Sequence, residues 1–174
     1  IAMSDDLQAK ALIMMGVAGC GKSTVGKQLA EALDWIFYDG DDFHPDANIN
    51  KMSKGIPLTD EDRTPWLDNL RTLINKHLQA NDSAIIACSA LKESYRKHLK
   101  QADERVILIY LHGDFELIWS RMSSRENHFM KPDMLRSQFE TLERPSPDEA
   151  HTFYIDQPVS QIIAEIKATI TGLL

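Results

Sequence analysis

The sequence predicts an α/β fold, a five-stranded parallel sheet flanked by helices. Two observations carry that expectation. Five short apolar runs alternate with helical patterns along the 174 residues, the pattern of βαβ units and of a sheet covered on both faces. The first run passes straight into a glycine-rich turn, GVAGCGKST at residues 16–24, in the strand–loop–helix setting that such turns require.

Taken in order, strands are expected at Ala11–Met15, Trp35–Tyr38, Ser83–Cys88, Val106–Leu111 and Thr152–Ile155. Helical patterns fill Lys22–Leu33, Thr64–Gln79, Glu93–Gln101, Phe115–Glu126, Met134–Glu143 and Val159–Ile170. The polar stretch 41–62, with Pro45, Gly55 and Pro57, reads as an inserted small helix and loop. A second polar stretch, 121–132, reads as a lid. Insertions of this kind above a parallel sheet commonly cover a ligand. With no repeat, low-complexity tract or linker, residues 3–174 are expected to form a single domain, Ile1-Ala2 standing ahead of it as a remnant.

Composition narrows the function classes. At 43% apolar and 26% charged residues, this is an ordinary soluble globular chain. A net charge of −7 argues against a nucleic-acid binder held by overall electrostatics. Cys20 and Cys88, the only cysteines, form no CxxC pair, so reduced thiols, a cytoplasmic location and no structural zinc are expected. No signal-peptide pattern is visible. No apolar run approaches the ~18 residues of a membrane span.

Residues Gly16-Val17-Ala18-Gly19-Cys20-Gly21-Lys22-Ser23-Thr24 match G-x-x-x-x-G-K-[ST], the P-loop. Its glycines let backbone N–H groups turn inward around phosphate oxygens at the positive end of the following helix. Lys22 is expected to reach the β- and γ-phosphates and Ser23 to bind Mg²⁺. Cys20 reads as a small loop residue rather than a nucleophile. The chain is therefore expected to bind a nucleoside triphosphate.

The same loop serves GTPases, motor ATPases and small-molecule kinases. A guanine-reading N/T-K-x-D segment is absent, and the later strands do not end in the Asp of a Walker B strand. The run Trp35–Tyr38 ends in Asp39, followed by Asp41 and Asp42. Carboxylates so crowded repel one another unless a cation or polar ligand relieves them. Asp39 is expected on Mg²⁺, directly or through water, and Asp41 opposite an acceptor hydroxyl, while Asp42 reads as a cap for the segment after it. That division suits phosphoryl transfer to an alcohol.

Basic residues point to an acidic acceptor. Lys92 and Arg96 share an i, i+4 spacing, Arg63 precedes Pro65-Trp66, and His44 follows the acidic cluster. Arg63 and Arg96 are expected to clamp a carboxylate. Arg121 and Arg125, again at i, i+4, read as lid cations over the triphosphate, and His128 as a packing or hydrogen-bonding residue rather than a general base.

The segments GVAGCGKST, DGDDFHPDANINKMSKGIPLTDEDRTPWL, CSALKESYR, RENHFM and SQFETLERP follow one another from residue 16 to about 145. Together they closely resemble the gluconokinases, the small P-loop type related to shikimate and nucleoside monophosphate kinases. The resemblance implies ATP- and Mg²⁺-dependent phosphorylation of D-gluconate at its 6-hydroxyl, in gluconate catabolism feeding the pentose phosphate or Entner–Doudoroff route. It implies a P-loop kinase core with a lid, and a homodimer. Residue by residue, it places ATP on Gly16 to Thr24, the acceptor on Asp41, Arg63, Lys92 and Arg96, and less firmly on His44 and Lys51. Arg121 and Arg125 match lid arginines, and adenine falls to Arg125 and the loop at Gln157-Pro158. Two other readings stay open at this level: a kinase of another polyhydroxy acid such as shikimate, and a nucleotide-binding protein without turnover.

Overall fold

A computed structural model describes residues 8–124 and 132–172. The five strands are β1 (Ala11–Met15), β2 (Ile36–Asp39), β3 (Ala84–Ala87), β4 (Val106–His112) and β5 (His151–Tyr154). They form one all-parallel sheet in the order β2-β3-β1-β4-β5. From β1 the chain crosses to one side for β2 and β3, then to the other for β4 and β5. That reversal opens a crevice beyond the carboxyl ends of the strands, where ligands bind in such sheets.

All five residues of β1 are buried because successive side chains feed two different cores. Ala11, Ile13 and Met15 pack under α3 (Asp60–Gln79) and α4 (Glu93–Lys100), against Trp66, Leu70, Ile74 and Leu99. Leu12 and Met14 face the layer of α1 (Lys22–Leu33), α5 (Phe115–Ser123) and α7 (Val159–Thr171), with Leu29, Ile118, Ile162 and Ile166. Two short helices complete the fold: α2 (Asp46–Ser53) in the expected insertion, and α6 (Pro132–Thr141). Among the described residues no helix is long and apolar enough to cross a membrane.

Helix α3 begins at Asp60, four residues ahead of the expected Thr64. The cause is a capping box: the Thr59 hydroxyl accepts from Asp62 N–H (3.1 Å), and the Asp62 carboxylate accepts from Thr59 N–H (2.9 Å). Pro65 therefore lies inside the helix rather than at its start. Lys51 adds a 2.7 Å ion pair to the same carboxylate, tying α2 to the head of α3.

That ion pair, followed by the Thr59 N–H, holds the Asp62 carboxyl down at about 2, from an ordinary 3.8. A carboxylate with a depressed folded-state pKa stabilises the fold above its unfolded value and loses that contribution as the pH falls toward the folded one. Urea unfolding midpoints are expected to drop between pH 3.8 and about 2, and to drop less steeply in Asp62→Asn. Equal slopes in the two proteins would contradict this.

Candidate active site

The carboxyl ends of β2 and β3, with the P-loop, form the floor of a cleft of about 540 Å³. Ala18, Lys22 and Ser23 line it on one side, and Asp39, Asp41 and His44 face them. Arg63, Trp66 and Tyr95 form a third wall. The last comes from α6, through Ser137, Gln138 and Thr141.

The P-loop is shaped by what packs behind it. Gly19 adopts φ +81°, and a Cβ there would run into the Met122 side chain, so α5 lies directly on the loop. Lys22 Nζ donates to the carbonyls of Gly16 and Val17, both at 3.0 Å, which folds the ammonium back over its own loop. Cys20 is buried, and burial pushes its thiol up, as it pushes the Cys88 thiol up to about 12. Both sulfurs are therefore poor nucleophiles, in keeping with Cys20 as a loop-packing residue.

The acidic cluster is an ordered turn. Gly40 to Phe43 form a single 3-10 turn, capped by Asp39, whose Oδ1 accepts from Asp41 N–H at 3.0 Å. Asp42 is an exposed member of this turn, and the helix that follows, α2, starts after Pro45 with no side-chain cap bond, so Asp42 does not cap it. Gly40 separates Asp39 from Asp41 because nothing larger fits: a Cβ there would sit 2.5 Å from the Ala87 carbonyl. From the other side, buried Trp66 donates its indole N–H to the Gly40 carbonyl at 2.8 Å.

Asp41 lines the cleft with its side chain 83% exposed. Desolvation by the cleft walls, then repulsion from Asp39, push its carboxyl above the usual carboxylate range, while His44 and Lys22 act in the opposite sense. A carboxylate poised this way is a better proton acceptor than one in open water.

His44 stacks on Trp66, ring centroids 4.3 Å apart. Its tautomer follows from Asn48, a buried residue whose Nδ2 donates to the Asp62 carbonyl at 2.9 Å and lies 3.1 Å from His44 Nδ1. A carbonyl can only accept, so Nδ2 is the donor, Nδ1 takes the second bond, and Nε2 carries the proton. That Nε2–H stands 3.9 Å from Asp41 Oδ1. Burial lowers the His44 pKa, which keeps the ring neutral.

Arg63 is fixed by three contacts to two residues. Its Nη1 donates to the Leu58 carbonyl (3.1 Å) and the Tyr95 hydroxyl (3.2 Å), and the guanidinium lies 5.6 Å from the Tyr95 ring centroid. Tyr95 in turn donates to Asp60, which also pairs with Lys92 at 3.1 Å. The remaining guanidinium edge has no bond to a described side chain and is suited to a carboxylate.

The structure redistributes the other expected residues. Arg96 is not an acceptor ligand: it is 1% exposed, paired with Glu149 at 2.6 Å, and donates to the carbonyls of Ala90, Leu91 and Glu143. Its i, i+4 relation to Lys92 places no common helix face, because Lys92 is the residue before α4. Neither Lys92 nor Lys51 lines the cleft; each is paired to an acid of the α3 head. Arg121 lies in the last turn of α5, beside Met122, and Arg125 and His128 lie outside the described residues. Gln157 donates its amide to the Tyr154 carbonyl (2.9 Å) and Glu165 (2.8 Å), and Pro158 precedes α7. Both are in the loop after β5, beyond the walls of this cleft. Tyr95, Trp66, Asn48 and Gln138 were not singled out by sequence reasoning, although all four lie in the segments that carry the resemblance.

Ser23 and Asp39 line the same cleft, and Asp39 keeps one carboxylate oxygen beyond its cap. Two protein oxygens fit a hard cation such as Mg²⁺, which takes most of its ligands from phosphate and water.

A phosphate loop at the switch point of a parallel sheet, opposite an acid and an arginine, defines a P-loop small-molecule kinase. The shikimate kinase family model matches residues 18–171. The thermosensitive gluconokinase of Escherichia coli K12 is 45% identical over 150 residues, covering 86% of this chain and 80% of that protein. The thermoresistant gluconokinase of the same organism is 44% identical, covering 87% and 88%. The crystal structure of a gluconokinase from Sinorhizobium meliloti 1021 superposes with a TM-score of 0.82 at 40% identity, covering 94% and 93%. The chain belongs to the gluconokinase family, within the shikimate kinase group.

Proposed function

We propose that this chain transfers the γ-phosphoryl group of ATP to the 6-hydroxyl of D-gluconate, giving 6-phospho-D-gluconate and ADP. The single observation that carries the reading is that Asp41 and Arg63 share one cleft with Lys22 and Ser23. A phosphate site, a proton acceptor and a carboxylate partner are thereby brought together.

The P-loop amides and Lys22 hold the triphosphate, and Mg²⁺, held by Ser23 and Asp39, supplies charge neutralisation when bound. Asp41 orients the acceptor hydroxyl and takes its proton, while His44 Nε2–H limits where the carboxylate can turn. Arg63 pairs with the carboxylate at the far end of the sugar acid. On the resemblance we assign Arg121, which precedes the Met122 that packs at Gly19 of the loop, to the ATP phosphates, and Gln157-Pro158, in the loop after β5, to the adenine end. A homodimer rests on the resemblance alone; a cytoplasmic location is supported by the free thiols of Cys20 and Cys88. Two cores sharing β1 support a single domain over 3–174.

An ADP-release assay across D-gluconate, shikimate, other aldonates and nucleotides tests this. Gluconate is expected to exceed every other acceptor in kcat/KM by about 10²-fold or more. Turnover on shikimate but not on gluconate would overturn the substrate, and intact ATP binding without turnover would overturn the enzyme.

A further inference from the structure

We propose that Gln138 positions the acceptor alcohol against the phosphate loop and so helps to select a polyhydroxylated substrate, an inference that rests on the sugar-acid kinase reading above. Helix α6 is divided by function. Leu135 is buried, and Phe139 and Leu142 pack on the core, whereas Ser137, Gln138 and Thr141 line the cleft that holds Asp41 and Arg63. The end of α6 is anchored beside the acceptor wall, where Glu143 N–H donates to the Leu91 carbonyl at 2.8 Å.

Gln138 crosses the cleft to the P-loop, its Oε1 accepting from Ala18 N–H at 2.6 Å. That bond fixes the amide: the oxygen must face the loop, so Nε2 and its two hydrogens are turned away from it. Among the described residues Nε2 has no partner, although it is a strong donor on a residue lining the cleft. A neutral amide donor beside the phosphate loop suits a hydroxyl oxygen, and it adds no charge to compete with the triphosphate.

Gln138→Met keeps the side-chain length and removes both hydrogen bonds, while Gln138→Asn keeps the amide but withdraws it by one methylene. Both are expected to raise the KM for gluconate by about 10-fold, with ATP affinity changed less than about 2-fold. The discriminating readout is a series of monodeoxygluconates. The unaltered protein should disfavour the acid lacking the recognised hydroxyl by about 10-fold or more, and Gln138→Met should no longer distinguish it from gluconate. Unchanged gluconate KM and undiminished discrimination in Gln138→Met, with ATP affinity shifted instead, would overturn the inference and leave Gln138 as a partner of the loop alone. Gln138 is only half-buried, so a thermal melt is expected to show both variants folded. Lack of gluconate turnover in the unaltered protein would instead overturn the reading beneath.

Discussion

Asp41→Asn is expected to lower kcat by about 10²–10⁴-fold, the usual contribution of a positioned acid–base group, with ATP affinity within about 3-fold of the unaltered protein. The substitution preserves shape and the Asp41 N–H that Asp39 accepts, so the capped turn persists. What disappears is the carboxylate whose proton affinity the cleft and Asp39 raise. An amide in its place also presents a donor to the acceptor hydroxyl, reversing the hydrogen bond that would orient it. Single-turnover rates with titrated ATP separate the two effects. A near-native kcat would show that Asp41 neither orients the hydroxyl nor accepts its proton.

The second large effect is expected away from the reacting atoms. Arg96→Met should destabilise the fold by about 3 kcal/mol, the range for breaking a buried ion pair. It leaves Glu149 without its partner and strips donors from the carbonyls of Ala90, Leu91 and Glu143. Those carbonyls belong to two loops, and Ala90 and Leu91 line the acceptor cleft. Gluconate KM should therefore rise along with the loss of stability, while ATP affinity holds. Urea unfolding checks the first part; a loss below about 1 kcal/mol would show that the pair is not a fastening of these loops.

Arg96 also shows where sequence reasoning stops. The spacing of Lys92 and Arg96 is visible in the chain, but whether a residue looks outward or into the core depends on what packs against α4. Here Glu149, more than fifty residues away, decides it. The P-loop was legible because its motif prescribes backbone shape, and Asp39 and Asp41 because a strand running into acids demands a ligand. The start of α3 was misplaced since Pro65 resembles a first-turn proline, while the capping box of Thr59 and Asp62 had already begun the helix. Gln138 carries no local signal at all: its partner, Ala18, is 120 residues earlier in the chain, and only the fold brings them together.

The most direct measurement of the central claim is the ³¹P spectrum of the product formed from D-gluconate and ATP. Gluconate has one primary alcohol, at carbon 6, so transfer there must give a phosphate ester whose phosphorus couples to the two protons of that carbon, alongside stoichiometric ADP. That is the expected spectrum. A phosphorus coupled to a single proton would place the ester on a secondary hydroxyl, and inorganic phosphate alone would mean that the cleft passes the phosphoryl group to water; either result would contradict the account.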